Sequence, residues 1–97
     1  MIKQLSASVA EAGVSAPRMI SELREVTVTV IPESPAYAKC QFTTSSRAEV
    51  HSGDATWQDW PHGEVSNTTT DVFLFRVTAV RLSATGAAKL EILGNDK

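Results

Sequence analysis

The chain of 97 residues predicts an all-β fold, an antiparallel β-sandwich or small barrel. Three observations carry this. Several segments alternate apolar and polar residues at a period of two, β-branched residues fill them, and turn signals recur at intervals of roughly ten residues. About five to eight short strands fit that spacing. A chain of this length forms one compact domain around one core and buries roughly 65% of its unfolded surface.

The first 24 residues are read as an N-terminal arm, or as a first strand plus loop, ahead of a sandwich spanning 25–97. Ile2, Leu5 and Val9 fit a helical stripe, whereas Leu5, Ala7 and Val9 fit a strand. SAPRMISELRE can open a short helix with Ser15 near its cap and Pro17 in the first turn. Strand and helix therefore both stay open here, with a strand at the start, a loop through Gly13 and an irregular or short helical segment preferred.

EVTVTVI, residues 25–31, is the clearest half-buried strand, with Val26, Val28 and Val30 on one face and Thr27 and Thr29 on the other. Pro32 and Pro35 end it, because proline offers no N–H to a ladder. AYAKCQFTT repeats the pattern, with Ala38, Cys40 and Phe42 inward and Tyr37, Lys39 and Gln41 outward. RAEV, residues 47–50, reads as a third short strand or a link, and SGD at 52–54 as a turn. DVFLF and RVTAVRLSA read as a strand that changes face near Thr78 and Ala79, placing Val80, Leu82 and Ala84 inward. Thr85-Gly86 then turns into AAKLEIL, with Leu90 and Ile92 inward, which predicts a hairpin.

Composition limits the function classes. Hydrophobic residues at 42% and charged residues at 21% belong to a packing, globular chain, neither disordered nor a disulfide scaffold. Nine basic against eleven acidic residues, with no block of like charge, lack the footprint of a nucleic-acid binder. Cys40 is the single cysteine, so no internal disulfide forms and a cysteine-based zinc site is disfavoured. No apolar run suits a signal peptide or a membrane span, so the expected product stays in the cytoplasm where it is made, with no membrane partner.

HSGDATWQDWPHG, residues 51–63, concentrates both histidines and both tryptophans. His51, Asp54, Asp59, His62 and Glu64 are nominal metal ligands, but their spacing matches no ligand pattern, and loop histidines beside turns are the plainer reading. Asp54, Asp59 and Glu64 as a glycosidase pair meet the same objection, since a small sandwich has little room for a deep cleft. No G-x-S-x-G is present, and Cys40 lies on the face expected to be buried, where thiols are inert. The expectation is no catalytic residue, no metal and no cofactor. Trp57 and Trp60, three apart, point to opposite faces of a continuous strand, one toward the core and one outward. An outward tryptophan suits a protein interface or a sugar-stacking platform. Asn67-Thr68-Thr69 is formally a glycosylation sequon and is read here as a loop.

ATWQDWPHGEV (55–65), TTTD (68–71) and VTAVRLSATGAAKLEIL (77–93), taken in order, resemble a pattern of small structural proteins of tailed bacteriophage particles. In that group a W-x-x-W-x-x-G-like segment precedes a threonine-rich loop, and a VTAxRxxATG hairpin closes the domain. The likeness covers roughly residues 36–94; Phe75-Arg76 stands where such proteins often carry proline or glycine. The resemblance implies a jelly-roll-like sandwich in the virion, a capsid decoration or cement protein or a tail-associated one. It further implies a homo-oligomer whose partner is the major capsid protein or another virion protein. Ile2, Leu5, Met19, Ile20, Leu23 and Trp60 are then the candidate interface, with the N-terminal arm ordering on binding. The alternative is a tail- or fibre-associated carbohydrate-binding or receptor-binding module, with Trp57, Trp60 and Tyr37 as stacking residues.

Overall fold

The computed structural model describes residues 1–96 and is an antiparallel β-sandwich. Its elements are β1 (Ile2–Val9), β2 (Gly13–Val14), β3 (Arg18–Met19), β4 (Leu23–Pro32), β5 (Ala38–Thr43), α1 (Arg47–Ser52), β6 (Gln58–Asp59), β7 (Thr69–Val72), β8 (Ala79–Ala84) and β9 (Ala88–Asp96). One sheet has the order β1-β9-β4-β7; the other has β2-β8-β5-β6, with β3 also on β8. Strands pair as β1 with β9, β2 and β3 with β8, β4 with β7, and β5 with β6. The chain is thus one long two-stranded ribbon, folded over so that β9 meets β4 and β8 meets β5.

Period-two patterning builds the core directly. Val26, Val28, Val30, Leu90 and Ile92 face inward from the first sheet, and Cys40, Phe42, Val80 and Leu82 from the second. Each fully buried aliphatic side chain contributes roughly 1.5–3 kcal/mol of transfer free energy. On the outer face of the first sheet Thr29 and Thr70 share a hydroxyl hydrogen bond of 2.8 Å across neighbouring strands.

Four expectations need correction. Residues 1–24 are built into the sandwich: β1 is an edge strand, β2 and β3 sit on β8, and Ile20 and Leu23 lie in the core. The strand expected at the start is present as β1, whereas the segment forms no separate arm and no helix near Pro17, which stands between β2 and β3. Ser15 bridges that interruption: its N–H donates to the Leu82 carbonyl (2.8 Å) and its Oγ accepts from the Leu82 N–H (2.9 Å), replacing a ladder bond.

RAEV opens helix α1. Ser46 caps it, its Oγ accepting from Glu49 N–H while Glu49 Oε1 accepts from Ser46 N–H, and Gly53 ends it at φ 85°. The predicted hairpin at Thr85-Gly86 joins the two sheets instead: β8 and β9 lie in different sheets, and Thr85 N–H bonds to the Tyr37 carbonyl. Finally, 71–84 is not one strand, since residues 73–78 form a loop between β7 and β8.

Candidate functional surface

The loop from Phe73 to Thr78 has an alternation of its own. Phe73 N–H donates to the Val26 carbonyl (2.9 Å), which fixes its ring inward, edge-on to Phe42 at 5.3 Å between centroids. Phe75 folds back onto both rings, 5.5 Å from Phe42 and 5.8 Å from Phe73. Leu74, between them, has nothing to pack on and is 91% exposed, while Phe75 is 56% and Val72 50% exposed. Three large apolar side chains therefore stand together in solvent, unlike the scattered apolar residues of an ordinary surface.

A groove of about 560 Å³ runs beside them, floored by Leu23, Val26 and Phe73 and flanked by Arg24 and Arg76. Its wall is a β-bulge in β4, where the register to β9 shifts between Arg24 and Thr27 and Glu25 takes a left-handed φ of 55°. Asn95 Nδ2 donates to Glu25 Oε1 at 2.7 Å and holds that carboxylate. A second hollow of about 230 Å³ opens on the other side of Val72, between Val28, Phe42, Trp60 and Phe75.

Of the residues singled out from the sequence, Ile20 and Leu23 line the groove from within the core and Trp60 borders the second hollow, while most of the others lie elsewhere. Trp60 is 2% exposed in the core, its Nε1–H donating to the Gly63 carbonyl at 2.6 Å, so it offers neither an interface nor a stacking face. Ile20 and Leu23 are buried too, Met19 and Leu5 are half-buried, and Ile2 is exposed on the β1 edge. Trp57 is half-buried on the opposite side of the sheet from Trp60, with the Arg81 guanidinium 4.3 Å over its ring, and Tyr37 is exposed. The tryptophans do divide between core and outer face, although the strand between them shrinks to Gln58–Asp59.

The nominal ligands separate. His51 is at the end of α1, and Asp54 accepts from the Ser52 hydroxyl. Asp59 accepts from Gln41 Nε2 and from Lys39 Nζ, and these hydrogen bonds, the Gln41 one foremost, hold its carboxyl below the usual range. His62 meets the Trp60 ring edge-on and Asp71 at 3.0 Å, and Glu64 is exposed. Among the described residues no three histidine, cysteine, aspartate or glutamate side chains converge as a metal site would require. Burial pushes the Cys40 thiol up to about 12.

No protein-family model, curated protein or solved structure matches this chain. The surface itself must supply the functional reading.

The 72–77 patch escaped the sequence because four consecutive apolar residues read as a buried strand. The signal that marks it is Asp71, whose Oδ1 accepts from the Val72 N–H (2.7 Å) next to the end of β7.

Proposed function

We propose that this protein is a non-catalytic assembly module that docks on a protein partner through Val72, Leu74, Phe75 and the adjacent groove. The exposure of Leu74 and Phe75 beside a concave apolar floor carries this reading. Burying the exposed parts of these three side chains supplies roughly 4–6 kcal/mol before association costs, which is weak for one site. Many copies acting in parallel on a lattice turn such a contact into firm attachment.

The sequence resemblance supplies the setting: a bacteriophage particle, with the protein decorating or cementing the capsid by contacts to the major capsid protein. The jelly-roll reading is supported by the folded ribbon, in which β1, β9, β4 and β7 form one sheet. Burial of Trp60 and the guanidinium over Trp57 weigh against a sugar platform, since Tyr37 alone of the three rings is largely exposed.

The test is co-sedimentation of the purified chain with empty coat shells, for the parent and for Leu74→Ser and Phe75→Ser. Saturable binding abolished by Leu74→Ser, in a variant that unfolds at the parent's urea midpoint, supports the proposal. Undiminished binding by both variants refutes the assigned surface, and a parent that ignores the shells refutes the capsid role.

A further inference from the structure

We infer that the segment received by this groove is acidic as well as apolar. The inference rests on the docking surface proposed above and names the chemistry of its partner.

Ion pairs among the described residues join the Met1 amine to Asp96, Lys39 to Asp59, His62 to Asp71 and Lys89 to Glu91. Lys3, Arg18, Arg24, Arg47, Arg76 and Arg81 take part in none of them, although the chain carries eleven acidic side chains against nine basic ones. Of these six, Arg76 lies near both Arg47 and Arg24. Arg47 Nη1 donates to the Ser21 hydroxyl (3.2 Å) and Arg76 Nη2 to the Ser21 carbonyl (3.4 Å), so two guanidinia converge on one residue. Arg24 and Arg76 both line the groove. The one carboxylate in that lining, Glu25, is held by the neutral Asn95 amide and keeps its charge, so two guanidinia stand against one carboxylate and the lining is net positive.

The groove therefore combines an apolar floor, an apolar knob at Leu74 and a net positive rim whose two guanidinia, Arg24 and Arg76, form no ion pair. A guanidinium fork matches a carboxylate in a way it matches no neutral group. The occupant that satisfies both parts is a polypeptide stretch with a large apolar side chain for the floor and carboxylates beside it. A bilayer surface would also meet cations and apolar tips, but it has no side chain to fill a concave floor, and the cations are few for holding anionic lipid.

The experiment titrates the ¹⁵N-labelled full chain with three short synthetic peptides, alternating leucine with glutamate, leucine with lysine, and serine with glutamate. Phosphatidylcholine vesicles containing phosphatidylserine form a fourth arm. The expected result is that the leucine–glutamate peptide shifts the amides of 24–27 and 72–77 and binds roughly tenfold tighter than leucine–lysine. That preference should shrink in high salt and vanish in the Arg24→Gln/Arg76→Gln variant, while the serine–glutamate peptide binds poorly. Equal binding of both leucine peptides overturns the acidic partner but leaves the apolar docking surface standing. Binding of vesicles alone overturns both in favour of a membrane. Shifts confined to other residues, or none with any probe, overturn the inference, and the shell experiment then decides the docking surface separately.

Discussion

Ser15→Ala tests whether a single hydroxyl completes the second sheet. Ser15 sits where the strand on the edge of β8 breaks, and its Oγ is the acceptor for the Leu82 N–H in the middle of β8. Leu82 is fully buried and Ser15 nearly so, which leaves that N–H little access to water once the hydroxyl is gone. A neutral hydrogen bond contributes about 1 kcal/mol net, and a buried donor left without a partner costs about 1–3 kcal/mol, so the combined loss is about 2 kcal/mol. For a domain of this size that corresponds to a fall in Tm of roughly 8–16 °C. Urea unfolding should show a lower midpoint at unchanged slope, because the surface exposed on unfolding is the same. Hydrogen exchange gives the local readout, with the Leu82 amide accelerated beyond its neighbours in β8. A loss below about 0.5 kcal/mol with the Leu82 amide still protected would refute the assignment of Ser15 as a ladder substitute.

Three further outcomes follow from the packing. The folded-state pKa of Cys40 is raised from 9.0 to about 12, so its stabilising contribution is complete below pH 9 and is lost as pH rises toward 12. Cys40→Ala should flatten that alkaline decline in urea midpoints, and a thiol reagent at neutral pH should label the parent only after unfolding. Gly94→Ala would set a methyl 3.2 Å from Leu23 Cβ and 3.4 Å from the Arg24 carbonyl, so a loss of about 1 kcal/mol and shifted Leu23 methyl resonances are expected. Ser46→Ala removes one half of the α1 capping box and should cost about 1 kcal/mol by urea titration while leaving the β-sheet amides protected.

The sandwich was legible wherever one face of a strand is buried and the other is wet. Val26, Val28 and Val30, then Cys40 and Phe42, then Leu90 and Ile92, all show period two and all line the core. Connectivity was not legible, because Thr85-Gly86 serves a hairpin and a step between sheets equally well, and long-range pairings distinguish them: β8 with β5, β9 with β4, and Thr85 N–H with the Tyr37 carbonyl. Helix α1 carried a readable mark in Ser46-x-x-Glu49 and Gly53, but six residues give no helical period. The exposed apolar patch at Val72, Leu74 and Phe75 was hidden for a different reason. Leu74 and Phe73 have the same apolar character, and a backbone bond to Val26, far away in sequence, decides which of them turns inward.

The folded ribbon also dictates when the molecule can form. Gln41 pairs across to Asp59, Thr29 to Thr70 and Leu5 to Ile92, so the loop to be closed lengthens steadily from the middle of the chain toward its ends. Pairing that begins at β5 and β6 and zips outward meets the smallest entropic cost at each step, and such topologies fold slowly. The strand β9 lies between β1 and β4, so neither has its main neighbour until residues 88–96 have been synthesised. A nascent chain on the ribosome therefore holds Val28 and Val30 without Ile92 and Leu90 opposite them, and although β4 can already pair with β7, β1 joins the first sheet only after β9 emerges.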